Sequence, residues 1–586
     1  MTYTSKIRGG WEPVRAFWRV WGWPIIWALG VASFVCGYVG FAQYYQSQAE
    51  VHSVLELVYR TLQLYVLQSG ALDYPVPPAL EVARFLAPAV FGYTATRALT
   101  SLLREQFLTL WLWRRREHVV VCGLGRKGLQ IAKDFSNRYS VVVIEPDAHN
   151  DRIRHCRDFG ARVLIGDASD IDLLRQAGVA RARYVVATTG DDGVNVEIVL
   201  HARELVQSRP AMFSHTCTCL VHIVDSTLCA VFKMAPTFTS GKDWFEATVF
   251  NIYENCARQL FEVQPLDRVP IGVSSRVSVH LVVIGFGQMG QAVALQAARV
   301  GHFANGRRLR ISVVDRNAKE AHAAFLALYP RFGDICDIEF VHALAGSAEV
   351  NERLIAWATE ENAMLTVAIC LDNDTRSLTR ALAIAEKLRE YNVPVRVRME
   401  EDTGLASLLV CEGVCHPSIA YIRAFGQIDR VCALNRLLSE EQDRKARRLH
   451  NRFIAVARQD LKRPKDDPAL LDWEKLPETY KESNRQAADH LPVKLRAIGI
   501  TENGDLTREL KTREIEILAR MEHARWMAER QLSGWKYAPG PKNDTKKTNP
   551  NLVAWSKLDR ANKDKDRGAV REMVSWLKVP THRSAT

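Results

Sequence analysis

The chain has 586 residues, enough for about three or four domains at roughly 150 residues each. With 47% hydrophobic and 25% charged residues, 33 Gly and 22 Pro, it has the make-up of folded protein, which excludes extended disorder, collagen-like repeats and low-complexity architectures. The 78 basic side chains exceed the 66 acidic ones by 12, an excess that in general invites nucleic acid or an anionic membrane surface.

Trp21 to Tyr45 (WGWPIIWALGVASFVCGYVGFAQYY) carries no charge and is long enough to cross a hydrocarbon core of about 30 Å. Trp21, Trp23, Tyr44 and Tyr45 mark its two ends, where amphipathic rings sit in a bilayer. The longer apolar run and the missing small-residue cleavage site argue against a signal peptide. Val51 to Ser69 is also apolar but holds Glu56 and Arg60, so it reads as a half-inserted helix and not as one bare in lipid. Ala79 to Trp113 is a second apolar stretch, interrupted by Glu81, Arg84, Arg97, Arg104 and Glu105. Lys6, Arg8, Arg15 and Arg19 precede the first span and Arg114 to Arg116 close the second. The positive-inside rule then places both termini in the cytoplasm. Residues 1–117 are expected to form a two-span membrane segment.

That layout resembles the outer helix, pore helix and inner helix of two-span potassium channels. Those channels carry a Thr-Val-Gly-Tyr-Gly filter after the pore helix, whose carbonyls replace the ion's water shell. The corresponding place here reads Gln68-Ser69-Gly70-Ala71-Leu72-Asp73-Tyr74. Channel and simple membrane anchor both stay open.

His118 to Cys122 is an apolar run suited to a buried parallel strand. Gly123-Leu-Gly125-Arg-Lys-Gly128 follows and opens a helical pattern. Such glycines allow a tight turn and close backbone approach, and the helix N-terminus presents N–H groups to a pyrophosphate. A second strand, Ser140 to Ile144, ends at Glu145, about 20 residues on, where an acid binds ribose hydroxyls. Gly160 to Ile165 and Val185 to Ala187 read as further strands, followed by Gly166-Asp167 and Thr188-Thr189. This block resembles the N-terminal lobe of the regulator-of-potassium-conductance (RCK, TrkA-N type) family. The resemblance implies NAD(H) or another adenine (di)nucleotide bound across Gly123, Gly125, Gly128, Glu145, Asp167 and Thr188. It also implies homo-oligomeric assembly, a tetramer or a dimer, in a ring under a membrane pore.

The pattern recurs 162 residues later: His280 to Ile284, Gly285-Phe-Gly287-Gln-Met-Gly290, then a strand ending at Asp315. One domain repeat separates the copies. Gly301 to Arg308 lengthens the approach to the acid, and Gly346-Ser347 replaces the earlier Gly-Asp. The second site (Gly285, Gly287, Gly290, Asp315) is therefore read as degenerate and as a site that can be empty. A dehydrogenase would need a positioned acid or base beside the nicotinamide; His215 and His222 flank a strand without an evident partner, and the chain is not expected to be an enzyme.

Beyond about residue 435 the sequence turns charged and helical, and an internal repeat emerges. His450-Asn-Arg452-Phe453 matches His523-Ala-Arg525-Trp526; Trp473-Glu-Lys475-Leu476 with Lys481 and Arg485 matches Trp555-Ser-Lys557-Leu558 with Lys563 and Arg567. The second copy adds Gly534-Trp535-Lys-Tyr537 and Asn549-Pro550. It is similar to the repeat domain that occurs in pairs in ryanodine receptors (RyR). Trp526, Trp535, Tyr537 and Trp555 offer faces for an adenine, and Arg525, Lys557, Lys563 and Arg567 offer phosphate partners. A core role for the tryptophans is the alternative. No nucleic-acid reader module is recognisable.

The twelve cysteines are scattered without a CxxC pair, and Cys411 with Cys415-His416 lacks a fourth ligand at metal-binding spacing. Buried reduced thiols in the cytosol are expected. The whole reads as α/β plus membrane helices: residues 1–117 membrane, 118–265 and 266–435 RCK/Rossmann units, 436–500 and 501–586 RyR-like repeats. Its expected place is a bacterial inner membrane, in contact with the lipid bilayer, and its expected role is to couple a small nucleotide ligand to an ion path. A non-conducting tethered sensor and an oxidoreductase are the competing readings.

Overall fold

The computed structural model describes residues 12–48, 50, 52–68, 72, 75–102, 117–209, 215–234, 244–401, 406, 409, 417–438, 440–458, 467–500 and 508–575. Ser69, Gly70, Ala71, Asp73 and Tyr74 at the filter position, the connection 103–116, Lys6, Arg8, and Cys411 with Cys415-His416 lie outside these residues. The chain divides into two units, Met1–Arg114 and Arg115–Thr586.

In the first unit, helix α1 (Glu12–Ser47) is followed by α2 (Val54–Gln63), a 3-10 turn at Leu64–Val66, and α3 (Pro78–Leu102). Small residues on α1 set how closely they pack. A Cβ at Gly40 would stand 2.6 Å from the Leu80 backbone nitrogen, and one at Gly37 2.9 Å from Thr61 Cγ2, so α1 passes α2 and α3 at near-backbone contact. Phe41, Tyr44, Leu57, Leu64, Leu80, Ala83 and Ala87 form the shared core. Tyr65 donates its hydroxyl to the Gly30 carbonyl (2.8 Å) and pairs with the Ser33 hydroxyl (2.7 Å), tying the short helix to the long one. The outer faces stay apolar: Trp27 is 73% exposed and Phe85 76%. Among the described residues one stretch, Gly22–Ser47, is long and apolar enough to cross a membrane. In α3, Glu81, Arg84 and Arg97, together with Thr94 and Thr96, dilute the apolar run, and residues 103–113 of the expected second span lie outside the described residues.

The second unit begins with six parallel strands: β1 (Val119–Cys122), β2 (Val141–Glu145), β3 (Arg162–Ile165), β4 (Tyr184–Ala187), β5 (Cys217–His222) and β6 (Phe245–Phe250). Their order is β3-β2-β1-β4-β5-β6. Every residue of β1, β2 and β4 is buried, as continuous apolar runs require in a sheet covered on both faces. A second sheet follows from β7 (Ser278–Ile284), β8 (Arg310–Asp315), β9 (Asp337–His342), β10 (Ala363–Ile369), β11 (Val395–Arg398) and β12 (Ile422–Phe425), ordered β12-β11-β10-β7-β8-β9. Both are doubly wound Rossmann sheets of one topology, with the strand order reversing beside the first strand of each.

Four C-terminal helices complete the unit: Glu440–Ala457, Glu478–Ala497, Thr512–Leu532 and Arg560–Ser575. Their contacts repeat in detail. His450 Nε2 bonds the Leu471 carbonyl and His523 Nε2 the Val553 carbonyl, each at 2.8 Å, two residues ahead of a 3-10 turn that starts at Trp473 or Trp555. Arg485 grips Asp443 (2.6 and 3.0 Å) as Arg567 grips Glu516 (2.8 Å). Lys481 lies 5.9 Å from the Trp473 ring and Lys563 5.8 Å from the Trp555 ring. The ten described cysteines are free thiols.

Candidate functional site

The first glycine turn joins β1 to α4 (Arg126–Ser136), and its three glycines meet three different demands. Gly123 has φ +95°, and a Cβ there would sit 3.1 Å from the Thr188 carbonyl; this left-handed tight turn strains any side chain and crowds it against the residues after β4. A Cβ at Gly128 would fall 1.9 Å from the Gly123 carbonyl oxygen, which is the close packing of helix on turn. At Gly125 a Cβ meets nothing within 4 Å. That open face, ahead of the free N–H groups of α4, is the cradle a pyrophosphate needs. Glu145 ends β2 and is buried; its carboxylate accepts from Leu124 N (2.8 Å) and Asp147 N (3.3 Å). Thr188 follows β4, its hydroxyl 3.3 Å from the Cys122 carbonyl. Gly123, Gly125, Gly128, Glu145 and Thr188 thus converge at the carboxyl ends of β1, β2 and β4. Asp167 lies past the end of β3, where the Ser169 N–H and hydroxyl hold its carboxyl below the usual range.

The second turn has the same geometry. Gly285 has φ +89°, a Cβ at Gly290 would stand 2.1 Å from the Gly285 carbonyl oxygen, and Gly287 faces open space to 4.0 Å. Asp315 accepts from Phe286 N (2.8 Å) and Asn317 N (2.7 Å). The difference lies at Gly346, where a Cβ would stand 2.1 Å from Arg380 Nη1. A guanidinium packs where the first unit presents Gly166 and Asp167.

Sequence reasoning missed the groups around the first turn. Arg126 pairs with Glu400, which follows β11 and also pairs with Arg398. Lys127 Nζ lies 3.3 Å from His222 Nε2 and 5.1 Å from the Tyr253 ring; burial lowers its pKa. Burial, then the charge of Lys127, push His222 down to about 3, so its imidazole is neutral. His215 bonds the Ala182 carbonyl at 3.2 Å. Two consecutive cations inside a glycine turn were the available signal. Their partners lie 95 and 274 residues away, beyond any local pattern.

In the C-terminal helices the expected ligand residues are spread among different partners. Arg525 is buried, bonding Glu529 (2.6 Å) and Glu522 (2.8 Å); Glu522 also receives buried Lys494. Burial alone would raise the Glu522 carboxyl, but Arg525 and Lys494 hold it well below the carboxylate range. Arg567 pairs with Glu516 and Asp564, and Trp555 Nε1 donates to the same Glu516 at 3.0 Å. Trp535 is buried, with Arg530 5.5 Å and Lys542 5.2 Å from its ring centre. Trp526 stacks on His523. Tyr537 is exposed, and Lys563 is half-buried over Trp555. The two arginines that sequence assigned to phosphate meet carboxylates within the fold.

Residues 119–216 match the TrkA-N domain and residues 500–580 match the RyR domain. The chain carries both domains. Over 143 residues it is 37% identical to the glutathione-regulated potassium-efflux system protein KefC of Salmonella heidelberg (strain SL476), covering 24% of this chain and 22% of that protein. Over 89 residues it is 30% identical to potassium channel protein 1 of Methanocaldococcus jannaschii, covering 15% of this chain and 27% of that protein. The chain thus spans about a quarter or less of these relatives' lengths. Among solved structures it is similar to GsuK bound to ADP, at 16% identity and a TM-score of 0.37 over 72% of this chain and 98% of that one.

Proposed function

We propose that this chain is a membrane-bound regulator of potassium transport whose first TrkA-N turn binds NAD(H) or another adenine dinucleotide. The observation that carries this reading is the open cradle at Gly125, set between Gly123 at positive φ and Gly128, whose Cβ would clash with the turn's backbone. Glu145 and Thr188 flank it, and Asp167 stands at the adjoining strand end; these would meet ribose and phosphate oxygens. The sequence likeness to a potassium-efflux protein and a potassium channel supports ion transport as the regulated process. In this reading residues 1–117 form the two-span segment, 118–265 and 266–435 the two Rossmann units, and 436–500 and 501–586 paired RyR-type repeats. The chain assembles as a tetramer or dimer in a bacterial inner membrane with both termini cytoplasmic, and the RyR-type module takes a second nucleotide ligand near Trp535 and Tyr537.

The test is calorimetry on the full chain in detergent with NADH and ADP. Gly125→Val fits without a clash and should fold, yet its side chain fills the cradle, so binding should fall at least tenfold. Equal binding by the variant overturns the assignment. A tethered sensor with no ion path is the second reading, favoured by the charges in α3. Nucleotide-dependent potassium flux in liposomes supports the first reading, and its absence across NADH and ADP supports the second.

A further inference from the structure

Arginines that fold inward in the second unit meet carboxylates, as Arg258 meets Asp489 at 2.9 Å and Arg496 meets Asp267 at 2.8 and 2.7 Å. Three arginines of the second sheet do not. Arg396 is the second residue of β11 and Arg423 the second of β12, and they stand opposite each other in the strand register. Registered residues on neighbouring parallel strands share a face about 4.8 Å apart, so the two stems rise side by side. Arg268 reaches the same place from the segment between α5 (Ile252–Val263) and β7. Its Nη2 donates to the Leu365 carbonyl of β10 (3.0 Å) and its Nη1 to the Asn392 carbonyl ahead of β11 (3.4 Å).

No described carboxylate answers these three charges. Arg268 bonds the two carbonyls just named, and Arg423 bonds the carbonyls of Ala420 (3.2 Å) and Ile422 (2.8 Å). Arg396 Nε is buried and has no partner. Burial, then the positive charges of Arg268 and Arg423, bring the Arg396 guanidinium down to about 10, so the three cations feel one another. Thr366 lies on the same face of β10, two residues before Ala368, which stands opposite Arg396; its hydroxyl is also buried without a partner. Like charges this close repel, and buried donors left unbonded are costly. A bound anion removes both penalties.

We propose that Arg268, Arg396 and Arg423 form a binding site for inorganic phosphate. Guanidinium forks match its oxygens, and the carbonyl bonds that hold Arg268 and Arg423 in place leave further N–H donors on each. A carboxylate, with one charge, would leave two of the three cations unanswered; the phosphate dianion leaves one. Arg268 and Arg423 are exposed and Arg396 is half-buried behind them, so phosphate enters without opening the fold. The site lies toward the amino ends of β11 and β12, whereas the glycine turns follow the carboxyl ends of β1 and β7. It is therefore separate from the nucleotide site and does not depend on it. Phosphate bound there ties the segment of Arg268 to the second sheet, next to the Asp267 contact with Arg496.

The probe is inorganic phosphate at about pH 8, where it is a dianion, titrated calorimetrically into the full chain in detergent, with acetate as comparison. Phosphate should bind with a Kd below about 1 mM, at least tenfold tighter than acetate. Arg396→Gln should weaken it at least tenfold, and Arg423→Gln, at an exposed position, at least about fivefold. Without phosphate, Arg396→Gln removes a repelled charge and should melt no lower than the parent. Phosphate at about ten times its Kd should raise the parent's midpoint and leave the variant's unmoved. The proposal is overturned if phosphate does not bind at millimolar concentration, if acetate binds as tightly, or if the variants bind phosphate as the parent does. If Arg396→Gln does not fold, Arg423→Gln decides between these outcomes. Loss of phosphate binding in Gly125→Val with retention in Arg396→Gln and Arg423→Gln places it in the glycine turn, which also overturns the proposal.

Discussion

Arg525 separates two accounts of the C-terminal module, because sequence makes it a phosphate partner and the structure makes it the centre of a buried charge network. Lys494, Glu522, Arg525 and Glu529 are all buried and sum to zero charge. Arg525→Met keeps a long apolar stem but leaves two buried carboxylates facing one ammonium. Breaking a buried ion pair in this way costs about 3–5 kcal/mol. For a cooperative unit on the order of 100 residues, that lowers the thermal midpoint by roughly 10 °C or more. The fluorescence of Trp526, Trp535 and Trp555 in a melt of the full chain reports it. Arg525→Met with Glu529→Gln restores neutrality, because Lys494 keeps Glu522, and the double variant should recover most of the loss. The non-additivity is itself the measurement. If Arg525→Met melts like the parent and instead loses adenine-nucleotide binding, the network account is refuted and the side chain belongs to a ligand site.

Three further outcomes are expected. His222 and His302 are held neutral by burial first and then by Lys127 and Arg525, at about 3 and about 4. The unfolded chain takes up these protons near pH 6.5, so the stability they contribute is whole above that pH and declines as pH falls toward 4, by on the order of a few kcal/mol; urea midpoints at pH 7 and pH 5 should differ in that direction, and equal midpoints would count against it. NADH calorimetry should show one Rossmann site per chain, since Arg380 packs against Gly346 in the second unit; a second NADH site that survives Trp535→Ala would show that this guanidinium does not obstruct. Gly40→Leu places carbon 2.6 Å from the Leu80 backbone, so the first unit should lose the α1–α3 contact and resist proteolysis less, while Gly92→Leu, where a Cβ meets nothing within 4 Å, should behave as the parent.

Much of this protein is written locally in its sequence. Each apolar strand run, the glycine spacing after it and the acid at the next strand's end are short-range signals, and they specify both Rossmann units because backbone geometry allows little else between a buried strand and a helix. The same holds for the uncharged stretch at Gly22–Ser47 and for the Trp-Lys-Arg spacing, which the paired contacts of Arg485 and Arg567 reproduce. The charged residues are different. A guanidinium's partner is set by which segments fold together, so Arg126 with Glu400, Arg258 with Asp489, and Arg525 with Glu522 and Glu529 became visible only in three dimensions. The excess of 12 positive charges shows the same division. Sequence located the basic residues near the membrane segment and in the C-terminal module, but only tertiary structure decided that many of them neutralise carboxylates inside the fold, because a buried charge is tolerated only beside its partner.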